Sequence, residues 1–256
     1  MNLHVETQGG GAPLVLLHGW GMHGGMWGDA AAQLAQDFEV HSVDLPGHGK
    51  SRLQNGEGFA MDAVVAALSR RFAEPVFVCG WSLGGMIAQH WAVRDPLKVK
   101  KLVLVASTPC FSQRADWAFG MPRDTLEQFA AELETNFAGT LRRFLALQVR
   151  GSEGERELLT ALRERLFSHG EPDLAALRGG LDILRDADLR GALAHIKQPV
   201  LAVAGQRDKL TPAPASHYLA QVMPDARVLE IAGAAHAPFL SHPDAFIEHL
   251  KSFLHE

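Results

Sequence analysis

Short apolar runs separated by helical patterns constrain this chain more than any other feature. The runs fall at residues 13–17, 38–43, 75–79, 101–106, 199–204 and 227–231. Each is five or six residues long and most are rich in Val and Leu, as in strands buried on both faces. Between them lie helix-like stretches at 26–37, 59–72, 83–94 and 214–222, with a final one from Pro243. Strand and helix in alternation predict an α/β fold, a mostly parallel sheet flanked by helices. Residues 111–190 break the rhythm and read as several helices in a row. The chain therefore divides into a core, 1–110 with 191–256, and a helical insertion, 111–190. Ligands of such sheets sit beyond the carboxyl ends of the strands. An insertion rooted there would act as a lid.

Composition removes several classes of function. Apolar residues make up 47% and charged residues 21% of 256, as in an ordinary globular domain. No apolar run reaches the roughly 18 residues that span a bilayer, so no membrane partner is expected. The first residues lack a basic start and an apolar stretch, so no secretory signal is read. Cys79 and Cys110 are the only cysteines, which suits a reducing compartment and a cytoplasmic protein. A net charge of −5 argues against a nucleic-acid partner.

The strongest chemical signal is Gly80-Trp81-Ser82-Leu83-Gly84, where a buried strand hands over to a helix. A G-x-S-x-G in that setting lifts a nucleophilic serine onto a turn too sharp for neighbouring side chains. Such a serine needs a base and a group that orients the base, in the chain order Ser, acid, His. Of thirteen histidines, most read as solvated surface residues, His169, His195 and His249 among them. His236 differs, because it follows the last strand among small residues, Gly233-Ala234-Ala235-His236-Ala237-Pro238. Asp208 follows the preceding strand, 28 residues earlier. Asp225 is a rival acid but precedes a strand, at the wrong end of the sheet. Oxyanion donors are expected from the backbone N–H of Leu83 and of Trp20, in the loop after His18-Gly19. The Trp20 side chain either walls the pocket or packs in the core.

Two other motifs compete. Gly19-Trp20-Gly21-Met22-His23-Gly24 is a literal G-x-G-x-x-G, and Asp44 lies 20 residues beyond Gly24, the spacing of a dinucleotide fingerprint. Trp20 in the pyrophosphate turn opposes that reading. Gly47-His48-Gly49-Lys50-Ser51 is similar to the tail of a phosphate loop, but the first glycine is replaced by Asp44. The histidines show no metal-ligand spacing, so no metal and no cofactor are expected.

Taken together, His18-Gly19-Trp20-Gly21, Asp44-Leu45-Pro46-Gly47-His48-Gly49-Lys50-Ser51, the serine turn, Asp208 and His236 resemble the α/β-hydrolase superfamily along the whole chain. Within it, Ser107-Thr108-Pro109-Cys110-Phe111, Arg143-Phe144-Leu145-Ala146-Leu147-Gln148 and Ala235-His236-Ala237-Pro238-Phe239 resemble the pimeloyl-[acyl-carrier protein] methyl ester esterases of biotin synthesis. That resemblance implies a serine carboxylesterase, active as a monomer, that frees the pimeloyl carboxylate on an acyl carrier protein. It places Trp20, Ser82, Leu83, Phe144, Leu145, Ala146, Leu147, Gln148 and His236 around the acyl chain. Carrier proteins are acidic, yet residues 111–190 hold 11 Arg, no Lys and 14 acids. Residues 141–165 are locally basic, so Arg142, Arg143, Arg156 and Arg163 are the expected carrier contacts. Two alternatives stay open: a general short-chain ester, lactone or thioester hydrolase, and a non-catalytic ligand-binding protein of the same fold.

Overall fold

The computed structural model of the chain describes residues 1–54 and 57–256. Seven strands form its centre: β1 (Val5–Gly9), β2 (Ala12–Leu17), β3 (Phe38–Val43), β4 (Val76–Trp81), β5 (Val99–Val105), β6 (Val200–Gly205) and β7 (Ala226–Ile231). Their spatial order is β1-β3-β2-β4-β5-β6-β7. Every neighbouring pair is parallel except β1 with β3. Six strands coincide with the apolar runs. The sequence gives no such signal for β1, whose Val-Glu-Thr-Gln-Gly is almost wholly exposed. Backbone pairing with β3 alone makes it a strand.

Among the described residues ten α-helices accompany the sheet: α1 (Gly28–Leu34), α2 (Met61–Arg71), α3 (Leu83–Arg94), α4 (Arg123–Thr135), α5 (Phe137–Val149), α6 (Glu155–Arg165), α7 (Leu174–Asp186), α8 (Ala213–Val222), α9 (Pro238–Ser241) and α10 (Pro243–His255). Nine of the twelve residues of α3 are buried, so its first turn, directly after Ser82, is held firmly against the sheet. Among the described residues no helix is long and apolar enough to cross a membrane.

Helices α4 to α7 fill the stretch between β5 and β6. The Asn136 side chain caps α5 by accepting the Gly139 N–H at 3.1 Å. Leu141, Phe144, Leu145 and Gln148 then form a buried stripe at helical spacing. Several bonds tie this layer to the core. The Trp20 indole donates to the Leu177 carbonyl at 2.8 Å. The Leu53 N–H donates to Asp173 at 3.0 Å, and the Asp173 N–H to the Gly47 carbonyl at 2.7 Å. The His236 N–H donates to the Gln148 carbonyl at 3.0 Å.

Beyond β2 the chain enters a buried pair of imidazoles. His18 Nε2 accepts the Leu45 N–H at 2.9 Å, and its ring lies 5.2 Å from that of His48. Both side chains are fully buried. Burial pushes His18 well below the ordinary imidazole value and His48 down to about 4. Histidines in the unfolded chain take up protons near pH 6.5. Between about 6.5 and 4 the unfolded state therefore binds more protons, and stability falls as pH falls, by up to about 1.4 kcal/mol per pH unit for each histidine. Urea unfolding should show a lower midpoint at pH 5 than at pH 7, with the difference reduced in His48→Phe. Equal midpoints at the two pH values would contradict this.

Candidate active site

Ser82 sits between β4 and α3 with φ +55° and ψ −117°, a backbone conformation that costs a non-glycine residue of order 1–3 kcal/mol. The surrounding glycines make this turn possible. A Cβ on Gly80 would lie 2.4 Å from the Gly84 carbonyl oxygen, and one on Gly84 would lie 2.4 Å from the Leu17 carbonyl oxygen. A Cβ on Gly85 would meet the Ser107 hydroxyl at 2.4 Å. That hydroxyl donates to the Ser82 carbonyl at 2.9 Å, and the Ser82 N–H donates to the Val105 carbonyl at 2.9 Å. Both main-chain polar groups of the strained residue are thereby satisfied.

The two loops after β6 and β7 meet each other. Gly205 allows this, since a Cβ there would lie 2.0 Å from the Ala235 carbonyl oxygen. His236 Nδ1 is 2.7 Å from Asp208 Oδ2, with both side chains buried. Asp208 Oδ1 also accepts the N–H groups of Leu210 and Thr211 at 2.8 and 3.0 Å. The Thr211 hydroxyl donates to Oδ2 at 2.7 Å and lies 3.3 Å from His236 Nδ1. Thr211 was not among the residues singled out from the sequence. The Asp-x-x-Thr spacing is its only trace there. His236 Nε2 is buried and has no hydrogen-bond partner among the described residues. The Trp81 indole, next in chain to Ser82, donates to the His236 carbonyl at 2.8 Å. Asp225 stands apart from this cluster. Its carbonyl accepts the N–H of Val200, at the opening of β6, the opposite end from Asp208.

Gly19 packs against the serine: a Cβ on it would come within 3.4 Å of Ser82 Cβ. This sets the loop carrying Trp20 beside the nucleophile position. Leu83 is the first residue of α3, where backbone N–H groups have no partner within the helix. The Trp20 side chain is fully buried and meets Phe144 edge-on at 4.8 Å, so it joins the sheet core to the inserted helices.

The segment 144–148 does not act as a block. It is helical, so its residues point to different sides. Phe144, Leu145 and Gln148 are buried toward the core, whereas Ala146 and Leu147 line an outer groove with Phe129 and Arg143. Of the five residues expected around one acyl chain, three are thus buried and two border the groove. Of the arginines, Arg143 pairs with Glu132 of α4. Arg156 and Arg163, seven residues apart on α6, flank Leu159 and Thr160 on an exposed face, and Arg142 is exposed on α5.

The dinucleotide reading loses its acid. Asp44 is buried, its oxygens accepting the N–H groups of Gly24 and Lys50 at 2.7 and 2.9 Å, so it fastens two loops of the protein itself. His169 is also not the solvated residue expected: its ring stacks on that of His23 at 4.2 Å and lies 3.4 Å from Asp44. His23, Asp44 and His169 bring ligand-type atoms within 4.8 Å of one another. His23 is already engaged through both nitrogens, with the Gly25 N–H and the Arg165 carbonyl. Stacked rings send their lone pairs side by side rather than to one point, so the trio reads as a clip between core and lid.

A family model described as the alpha/beta hydrolase family matches residues 14–249. The chain belongs to the α/β-hydrolase family. A Nitrosomonas europaea protein named pimeloyl-[acyl-carrier protein] methyl ester esterase is 44% identical over 246 residues, covering 96% of this chain and 97% of its own. One of the same name from Chromobacterium violaceum is 47% identical over 254 residues, covering 99% and 98%. Among solved structures, an esterase from Exiguobacterium antarcticum superposes with a TM-score of 0.90 at 24% identity, over 99% of this chain and 96% of that one. That last likeness shows the α/β-hydrolase fold alone.

Thr211→Val removes a hydrogen bond to a charged, buried oxygen, a loss of about 1.5–3 kcal/mol. Urea unfolding should show that loss, and Thr211→Ser should regain most of it. A valine variant as stable as the parent would mean that the hydroxyl does not hold the carboxylate.

Proposed function

We propose that this protein is a serine-dependent carboxylic ester hydrolase that removes the methyl group from the ester end of a pimeloyl chain carried by acyl carrier protein, in the cytoplasm and as a monomer. The observation that carries the substrate is the near-full-length similarity, at 44% and 47% identity, to two proteins bearing that name. The site geometry supports the chemistry. A strained serine stands at a helix N-terminus, and the indole of Trp81, next to it in the chain, holds the carbonyl of His236, whose buried pairing with Asp208 leaves Nε2 without a partner among the described residues.

Ser82 attacks the ester carbonyl as His236 Nε2 takes its proton. Catalytic contacts of this kind often tighten only when substrate is bound. Asp208 holds Nδ1 and stabilises the charged imidazole. The N–H groups of Trp20 and Leu83 receive the tetrahedral oxyanion, where one donor is worth about 10²–10³ in rate. His236 returns the proton to methanol as it leaves. Water, deprotonated by His236, then hydrolyses acyl-Ser82 and frees the carboxylic acid. Phe144, Leu145 and Gln148 line the acyl chain from the lid, residues 111–190, while Ala146 and Leu147 face outward. Cations near the site meet the acidic carrier; Arg142, Arg143, Arg156 and Arg163 are the candidates read from sequence, of which Arg143 is paired with Glu132.

Release of methanol and free acid from the carrier-bound methyl ester tests this reading. Wild type should turn over, Ser82→Ala should not, and Asp208→Asn should lose up to about 10⁴ in turnover while remaining folded. Near-normal turnover in Asp208→Asn would reject the acid. Serine-dependent turnover confined to small free esters would reject the carrier substrate.

A further inference from the structure

The outer side of α5 borders two grooves that share Leu147. In the first, toward α4, the Arg143 guanidinium is taken by Glu132. The second encloses about 360 Å³ and is lined by Met121, Pro122, Leu147, Arg150, Lys209 and Leu210, with Gly120 and Thr125. No carboxylate lines it. Arg150 and Lys209 are exposed, and among the described residues neither forms an ion pair.

This second groove lies against the catalytic loops. Lys209 follows Asp208, and the Leu210 N–H donates to Asp208 Oδ1 at 2.8 Å. Gln148, two residues before Arg150, accepts the His236 N–H at 3.0 Å. The turn after α5 is fixed there as well: Arg207 donates to the Gly151 carbonyl at 3.2 Å, and Ser152 accepts the Ala235 N–H at 3.0 Å. Two cations without an ion pair among the described residues thus stand at a largely apolar cleft that Lys209 and Leu210 of the acid loop help to line, and whose α5 wall is hydrogen-bonded to the His236 loop. The α6 face differs, since Glu155 shares the groove of Arg156 and Arg163 and none of its lining residues lies in the acid or base loop.

We infer that this groove seats the carrier protein, with Arg150 and Lys209 meeting its acidic face. The acyl tether passes over Met121, Leu147 and Leu210 toward Ser82. The inference rests on the carrier-ester reading above. Its warrant is charge complementarity at a cleft contiguous with the triad loops. Lys209 lies outside the helical insertion in sequence, so only the fold brings it to Arg150.

The test uses the intact protein with Arg150→Glu and Lys209→Glu, singly and together. kcat/KM is measured for the carrier-bound methyl ester and for the free methyl ester of the same acid, and their ratio is read. The ratio should fall tenfold or more in the double variant, and the salt dependence of the carrier reaction should become shallower. Thermal melting checks the fold. If the double reversal unfolds, the Arg150→Ala and Lys209→Ala pair should lower the ratio in the same direction. An unchanged ratio overturns the groove while the esterase reading stands, and so does a fall seen only in Arg156→Glu with Arg163→Glu. A wild-type ratio near one overturns the carrier reading and the groove with it.

Discussion

The approach of bare backbone to bare backbone around Ser82 is the constraint on which the rest of the site depends. The strand-to-helix turn closes because Gly80 and Gly84 leave no atoms where the Gly84 and Leu17 carbonyls must pass. The same device recurs at Gly205, which lets the acid strand abut the carbonyls of Ala234 and Ala235. With these contacts in place, Ser82 is lifted at the end of β4, and Asp208 and His236 converge from the ends of β6 and β7. A Cβ at any of these glycines would push apart elements that the chemistry needs together.

The polar groups at this centre are almost all committed to one another. Four polar groups converge on the two oxygens of Asp208, which fixes the buried carboxylate in place. Buried polar atoms without partners are costly, and His236 Nε2 is one of the few here. A group that must accept a proton during turnover gains by having no competing partner. The helices between β5 and β6 share in the same network. Gln148 holds the backbone of His236, and Leu177 holds the indole of Trp20, so residues far apart in sequence position both of these loops.

Much of this was legible from the amino acids. Ser82, Asp208 and His236 stand out because each follows an apolar run and because their order fits one chemistry. Six strands announce themselves as apolar runs, while β1 does not, since it is exposed and gains only backbone pairing. The limits are equally physical. A run of adjacent residues such as 144–148 looks like one patch in sequence, yet a helix divides it between two faces. Arg143 reads as a free cation until α4 brings Glu132 to it. His169 reads as a surface residue until the turn after α6 folds onto His23 and Asp44. Thr211, and the meeting of Arg150 with Lys209, exist only in three dimensions.

The central claim is that Ser82 is the nucleophile and that the surrounding geometry activates it. Treating the protein with a fluorophosphonate and mapping the adduct by peptide mass spectrometry tests it most directly. The account predicts a single phosphonylated residue, Ser82, with labelling sharply slowed in His236→Ala. An adduct on another residue, or no reaction with a folded protein, would contradict it.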